Sequence, residues 1–151
     1  MIQVDTREKP HAIRQILAEF KRQNVDYFIQ KLDEGDYMSD SNPFLCIDRK
    51  QNLLELCSNI AQEEARFCRE LQRATDKGIH LVILCEHSSK INSLQYLRKW
   101  QNPRVKTSKY AISGEEMFRR IYLLQKRYDV EFRFCTKEQT GKEIIKILGE
   151  R

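Results

Sequence analysis

Five side chains in the first third of the sequence have the types and spacing of a reactive centre. They are Asp5 and Glu8 in Val4-Asp5-Thr6-Arg7-Glu8, Asp36 in Gly35-Asp36-Tyr37, and Asp48 and Lys50 in Ile47-Asp48-Arg49-Lys50. If Phe44 to Lys50 is a strand, alternation sends Cys46, Asp48 and Lys50 to one face and Leu45, Ile47 and Arg49 to the other. A carboxylate and an amine then point the same way. If Ser41, Asn42 and Pro43 form the preceding turn, antiparallel pairing sets Asp36 opposite Asp48, with Cβ atoms roughly 5 Å apart. Two like charges that close repel unless a cation joins them. Oxygen ligands favour Mg²⁺ or Mn²⁺ over zinc. Asp5, at the end of a short first strand, would supply a third carboxylate if that strand runs beside the hairpin.

The elements that must position these groups can be read from the pattern of apolar residues. Ile2 and Val4 mark the first strand, and Pro10 stands where the first turn of a helix tolerates it. Ile13, Ile16, Leu17 and Phe20 form one helical face that ends near Asn24. Val25, Tyr27 and Ile29 alternate as a strand, and a hairpin from Gly35 to Lys50 turns within Ser39-Asp40-Ser41-Asn42-Pro43. One helix is expected from about Asn52 to Lys77, with Leu53, Leu56, Cys57, Ile60, Phe67, Leu71 and Ala74 on its buried stripe and Gly78 at its end. Ile79 to Cys85 is nearly all apolar, as a strand covered on both faces should be. Ser88 to Ser113 is polar, basic and poorly periodic, a length of loop that is usually functional or hides a short helix. Ser113-x-x-Glu116 then opens a helix to about Tyr128, Val130, Phe132 and Phe134 alternate as a last strand, and Thr136-x-x-Gln139 opens a final helix. This order implies an α/β fold with a central mixed sheet flanked by helices.

The chain has 151 residues, which fits one domain, residues 1–151. Its hydrophobic fraction of 40% and charged fraction of 32% suit a globular protein, and no apolar run is long enough to span a bilayer. The start, Met1-Ile-Gln-Val-Asp, has neither the basic residues nor the apolar stretch of a secretion signal, so a cytoplasmic location is expected. Five cysteines, an odd number with no C-x-x-C pair, read as small buried hydrophobes in a reducing compartment. His11, His80 and His87 lack the spacing that would join them to cysteines in a zinc site. A net charge of +5 is compatible with a polyanionic partner without requiring one.

Asp followed by Asp-x-Lys is the PD-(D/E)xK pattern, and the three segments in order resemble the XPF-type structure-specific endonuclease family, whose motifs are V-D-x-R-E, G-D-Y and (V/I)-E-R-K. Arg66-Phe67 and Glu70-Leu71 on the long helix, followed by the apolar strand, are similar to that family too. Three departures are visible. Asp48 stands where the family usually has Glu, Leu54 stands where an Asp commonly follows the lysine by four residues, with Glu55 next door, and a helix-hairpin-helix module is not expected. In that respect the chain is more similar to compact, stand-alone bacterial and phage versions.

The resemblance implies a restriction-endonuclease-like core and a metal-dependent DNA endonuclease using Mg²⁺ or Mn²⁺, acting in repair or recombination on branched or flapped DNA. It implies Asp36 and Asp48 as metal ligands, with the Arg49 backbone carbonyl sharing the ion and Asp5 and Glu8 completing the acidic cluster. Lys50 would steer the attacking water and stabilise the transition state, and Arg7, Arg49 and Arg66 would hold the site or contact phosphate. A homodimer through the helix from Glu115 to Tyr128 and the last strand is also implied. The alternative is a catalytically inactive DNA-binding partner on the same fold, although such a lineage has no physical reason to keep Asp5, Glu8, Asp36, Asp48 and Lys50 together.

Each feature also has a plainer reading. Asp5 and Asp36 can cap turns, and Lys50 can be a solvated strand-end lysine. Arg66 either contacts phosphate or pairs with Glu63 or Glu70 along its helix. Arg104, Lys106 and Lys109, with Arg98, Lys99, Trp100 and Tyr110 nearby, either track a DNA backbone and stack on bases or form a solvated loop whose Trp100 plugs the core.

Overall fold

The computed structural model describes residues 1–150. Its elements, in order, are β1 (Ile2–Val4), α1 (Arg14–Arg22), β2 (Tyr27–Ile29), β3 (Tyr37–Ser39), β4 (Asn42–Lys50), α2 (Leu53–Ile60), α3 (Glu64–Asp76) and β5 (His80–His87). They continue with α4 (Leu94–Leu97), α5 (Gly114–Arg127), β6 (Val130–Thr136) and α6 (Thr140–Leu148), the last entered through a 3₁₀ turn at Lys137–Gln139. The strands form one six-stranded mixed sheet in the order β2-β1-β3-β4-β5-β6. β3 pairs antiparallel with β1 and β4, while β4, β5 and β6 run parallel.

Alternation along the strands divides the core into two layers. Cys46, Leu81, Ile83 and Cys85 pack with residues of α2, α3 and α5 on one face, and Ile47, Val82 and Leu84 pack with residues of α1 and α6 on the other. β5 is buried from Leu81 to Glu86 because both its faces are covered, which is why its sequence carries no polar alternation.

The helix expected between Asn52 and Lys77 is two helices. The stripe Leu53, Leu56, Cys57 and Ile60 resumes only at Phe67 because Gln62, Glu63 and Glu64 interrupt it. At the break the Glu63 N–H donates to the Ser58 carbonyl (2.8 Å) instead of continuing the regular ladder. Asn52 starts α2 by accepting from the Glu55 N–H (2.8 Å). Gly78 ends the α3 region in the left-handed conformation, φ +73°, which lets the Ile79 N–H reach the Ala74 carbonyl. Both caps anticipated downstream are present: Ser113 accepts from the Glu116 N–H, and Thr136 and Gln139 make a reciprocal capping box. The long polar stretch does hide a short helix, α4.

The hairpin turns differently from the expected three-residue loop, since Ser39 pairs with Asn42 and the ladder is irregular between Met38 and Ser39. Pro43 lies beside this irregularity, where its missing N–H breaks no regular ladder. Beyond the bulge Met38 pairs with Cys46 and Tyr37 with Ile47, and continuing that register by one residue brings Asp36, just before β3, to the level of Asp48. No helix among the described residues is long and apolar enough to cross a membrane.

Candidate active site

The cleft that gathers the acidic residues lies where β1 ends and β3 begins, at the C-terminal end of β4, with α2 and α3 closing one side. Its volume is 260 Å³, and Glu8, Asp36, Asp48, Lys50, Glu55 and Glu70 line it, with Arg7 and Arg66 at the margin. Gly35 delivers Asp36 into this space. Its φ of +73° is rarely adopted by other residues, and a Cβ there would lie 3.0 Å from the Ile47 carbonyl oxygen and 3.1 Å from Cys46 Cβ.

Asp36 is pinned on both sides. Its backbone N–H donates to the Ile47 carbonyl (2.7 Å), and one carboxylate oxygen accepts from the Arg49 N–H (2.8 Å). Burial, with Asp48 and then Glu8 nearby, pushes its pKa well above the usual carboxylate range. Asp48 is raised too, by burial first and by Glu70, against the pull of Lys50, whose Nζ is 3.4 Å from Asp48 Oδ1. Burial works against the charge on Lys50, yet Asp48, Glu55, Asp36 and Glu70 outweigh it and hold the amine protonated. The Phe67 ring, 5.6 Å from Nζ, closes the amine's inner side.

Glu8 faces the same cleft, but its oxygens are engaged. It accepts from Arg49 Nε (2.6 Å) and from the Tyr37 hydroxyl (2.6 Å). Arg49, whose side chain is only 3% exposed, bridges from Glu8 to Glu86 on β5 through Nη1 (3.1 Å). A guanidinium so enclosed is committed to these two carboxylates, so its side chain holds the sheet together and is not presented to a phosphate. Burial raises the Tyr37 pKa, and Glu8 adds to the effect, so the hydroxyl stays a donor.

Asp5 lies beneath the cleft and outside its lining. It is fully buried, and its oxygens accept from the Leu32 N–H (2.7 Å), the Arg7 N–H (3.1 Å) and Arg7 Nε (2.5 Å). Burial would raise its pKa, but these donors together lower it. Arg7 also donates to the Leu32 carbonyl (3.0 Å), which fixes the segment carrying Glu8 against the one that leads to Asp36. Among the described residues, no group of three or more His, Cys, Asp or Glu side chains is arranged to hold a metal ion.

The outlying candidates separate. Arg66 is exposed on α3 and pairs with both Glu63 (2.9 Å) and Glu70 (3.4 Å), the helical pairing anticipated, and it also borders the cleft. Arg104, Lys106 and Lys109 are exposed on the loop after α4, and Arg104 borders a separate small hollow against α2. Trp100 is half-buried against the core. Two participants are not evident from the sequence motifs. Glu70 enters the sequence reading only as part of the family resemblance and as a pairing partner for Arg66, although it lines the cleft near Asp48, and Glu86 belongs to no motif. The signal for Glu86 is an acid inside an apolar strand, a position that requires a buried cation as partner.

A model of the ERCC4 domain family matches residues 4–148. Among solved structures, the chain is similar to XPF from Aeropyrum pernix at 13% identity and a TM-score of 0.68, over 97% of this chain and 62% of that one. It is also similar to XPF from Aeropyrum pernix in complex with DNA, at 16% identity and a TM-score of 0.68, over 98% of this chain and 62% of that one. The chain thus spans less than two thirds of the structures it matches, and at these identities the likeness establishes the shared fold. No curated protein matches it.

Proposed function

The chain belongs to the ERCC4 domain family, and on that premise we propose that it is a divalent-metal-dependent DNA endonuclease. The observation that carries this reading is the gathering of Asp36, just before β3, and Asp48, on β4, with Lys50 beside them in one cleft. The DNA named with a similar structure, XPF from Aeropyrum pernix, supports a nucleic-acid partner here as well.

The donor set fits Mg²⁺ or Mn²⁺. Burial raises both of these adjacent carboxyls and Asp48 raises Asp36 further, so a cation between them would offset the cost of ionising the pair. Such ions take one or two protein carboxylates and complete their shell with water and substrate phosphate, so a third acidic side chain is not needed. Asp36 and Asp48 would hold the ion, with the Arg49 carbonyl as a further oxygen. Bound there, it would supply Lewis acidity toward the phosphate and favour a deprotonated water as nucleophile.

The chain's own residues do the rest. Lys50, kept charged by the acids around it, stands where it can orient the attacking water and meet the negative charge that grows on the phosphate oxygens. Arg7 and Arg66, which border the cleft, we assign to flanking phosphates. Asp5 and Glu8 we assign as positioning residues: Asp5 fixes the Arg7 segment, and Glu8 holds Arg49, whose backbone N–H in turn fixes Asp36.

We extend the reading to branched or flapped DNA in repair or recombination, and to a homodimer through α5 and β6. Tyr122 and Leu123 on α5 are 47% and 50% exposed, and β6 is an edge strand. Sedimentation showing only monomer, with activity intact, would remove the dimer. The nuclease itself is tested by incubating labelled linear, flapped, forked and four-way DNA with Mg²⁺, Mn²⁺ or EDTA, with Asp48→Ala as the control for contaminating nuclease. Cutting is expected with either metal and absent with EDTA or Asp48→Ala. Binding without cutting by the wild type would replace this reading with that of an inactive partner on the nuclease fold.

A further inference from the structure

A second and larger cavity, 590 Å³, opens beyond the C-terminal end of β5. His87, Lys90, Asn92, Tyr96, Lys99 and Trp100 are among the residues around it, and no carboxylate contributes to its lining. Its place relative to the cleft follows from register. Lys50 pairs with Cys85, so His87 lies two residues farther along the neighbouring parallel strand. Cys46 and Cys85 share the core face of α2, α3 and α5, and alternation carries Asp48, Lys50 and His87 to that same face. With ~3.3 Å per residue and ~4.8 Å between strands, the Lys50 and His87 Cα atoms are about 8 Å apart. The cavity is therefore the immediate neighbour of the acidic cleft on one side of the sheet.

Its chemistry is the reverse of that of the cleft. The acidic cleft attracts cations, whereas this cavity offers aromatic surface and a positive rim. Tyr96 is 49% exposed, with Lys99 Nζ 5.5 Å from its ring centroid, and the edge of the half-buried Trp100 ring meets the His87 ring at 6.1 Å between centroids. Burial lowers the His87 pKa, so at neutral pH the imidazole presents one donor and one acceptor rather than a charge. A flat π-surface, neutral polar groups and two lysines free of carboxylate neighbours in the lining suit a nucleobase with its phosphate.

We propose that this cavity holds one unpaired nucleotide of the DNA strand being cut, its base against Tyr96 and Trp100 and its phosphate on Lys90 and Lys99. The inference rests on the endonuclease reading and gives it a substrate preference: strands with an unpaired nucleotide beside the scissile phosphate. Paired bases within a duplex have their faces covered by stacking and cannot enter.

Trp100 is the sole tryptophan of the chain, so its fluorescence reports on this cavity directly. The wild type would be titrated in EDTA with a thymidine dodecanucleotide and with a blunt duplex of equal length, and Tyr96→Ala and Lys99→Ala with the same two probes. Both replaced side chains are exposed, so folding should be preserved. The single strand should quench Trp100 and the duplex should not, and Tyr96→Ala should weaken single-strand affinity about tenfold while leaving duplex affinity unchanged. A single strand that binds without altering Trp100, or that binds both variants as tightly as wild type, overturns the proposal. Cleavage of flapped DNA with Mn²⁺, run in parallel, separates the two readings. Cutting with an unresponsive Trp100 discards the nucleotide cavity alone. A responsive Trp100, weakened affinity in Tyr96→Ala and no cutting of any DNA would retain the cavity and discard the nuclease.

Discussion

Replacing Asp48 with Asn tests the central claim, that the acidic pair is a strained cation site. Opposed residues on antiparallel strands hold their Cβ atoms about 5 Å apart. Two unit charges at that separation repel by roughly 3 kcal/mol at an effective dielectric near 20. Lys50 at 3.4 Å offsets part of this. Removing the Asp48 charge does not orphan that lysine, because Glu55, Asp36 and Glu70 still face it. Where both carboxyls are ionised, the metal-free variant should therefore be more stable than wild type, by about 1–2 kcal/mol once the partial offset is allowed for. The sign with pH follows. A carboxyl whose pKa is higher folded than unfolded loses stability as pH rises from the unfolded value through the folded one, so metal-free wild type should weaken across that interval and Asp48→Asn should weaken less. Mn²⁺ should reverse the order. At one hundred times its dissociation constant it would stabilise wild type by ~2.7 kcal/mol, and the variant far less. Urea unfolding with EDTA or Mn²⁺ from pH 5 to 8 measures all of this. A metal-free variant at least 1 kcal/mol less stable than wild type, or one that gains as much from Mn²⁺, would refute the reasoning.

Lys50→Ala should leave calorimetric Mn²⁺ binding intact but lower the single-turnover cleavage rate by about 100-fold or more, the scale for deleting a transition-state charge stabiliser. Arg49→Ala leaves Glu8 and Glu86 in a buried site without their cation and should cost about 3–5 kcal/mol by urea unfolding, and a loss below 1 kcal/mol would contradict the bridge. Replacing Arg104, Lys106 and Lys109 together with Ala should flatten the dependence of DNA affinity on salt by about 0.9 in log–log slope for each phosphate that these side chains neutralise. An unchanged slope would make that segment a solvated loop.

The parts of the fold that are legible in the sequence are those where one physical pattern acts alone. Alternation on β4 determines the facing of Asp48 and Lys50, and it survives a wrong turn assignment because the irregularity between Met38 and Ser39 restores the same pairing beyond it. Continuous apolarity identifies β5, and the two capping patterns locate α5 and the last helical segment. The break between α2 and α3 is visible as the gap from Ile60 to Phe67, but a stripe summed over the whole window conceals a short interruption. At the site, sequence order places acids on the right elements without saying which will face the cleft. Asp5 is buried among donors supplied by Leu32 and Arg7, and Glu8 is shared between Arg49 and Tyr37. Those partners are fixed by tertiary packing, as is the approach of Glu86 to Arg49, and none has a local signature.

On the endonuclease reading proposed above, the Glu8–Arg49–Glu86 bridge also bears on when this chain could first become dangerous to the DNA around it. Arg49 lies 41 residues from Glu8 and 37 from Glu86, so the bridge closes two large loops at once. Contacts that distant form late, after the loop-closure entropy of the intervening chain has been overcome. A ribosome must extrude β5 before Glu86 can meet Arg49, and the Arg49 N–H that fixes Asp36 sits on the residue this bridge anchors. A half-made or partly unfolded chain thus carries every acid of the first four strands without the geometry that aligns them. Catalytic competence would appear abruptly with completion of the sheet, and the same bridge would disarm the protein as soon as β5 detaches.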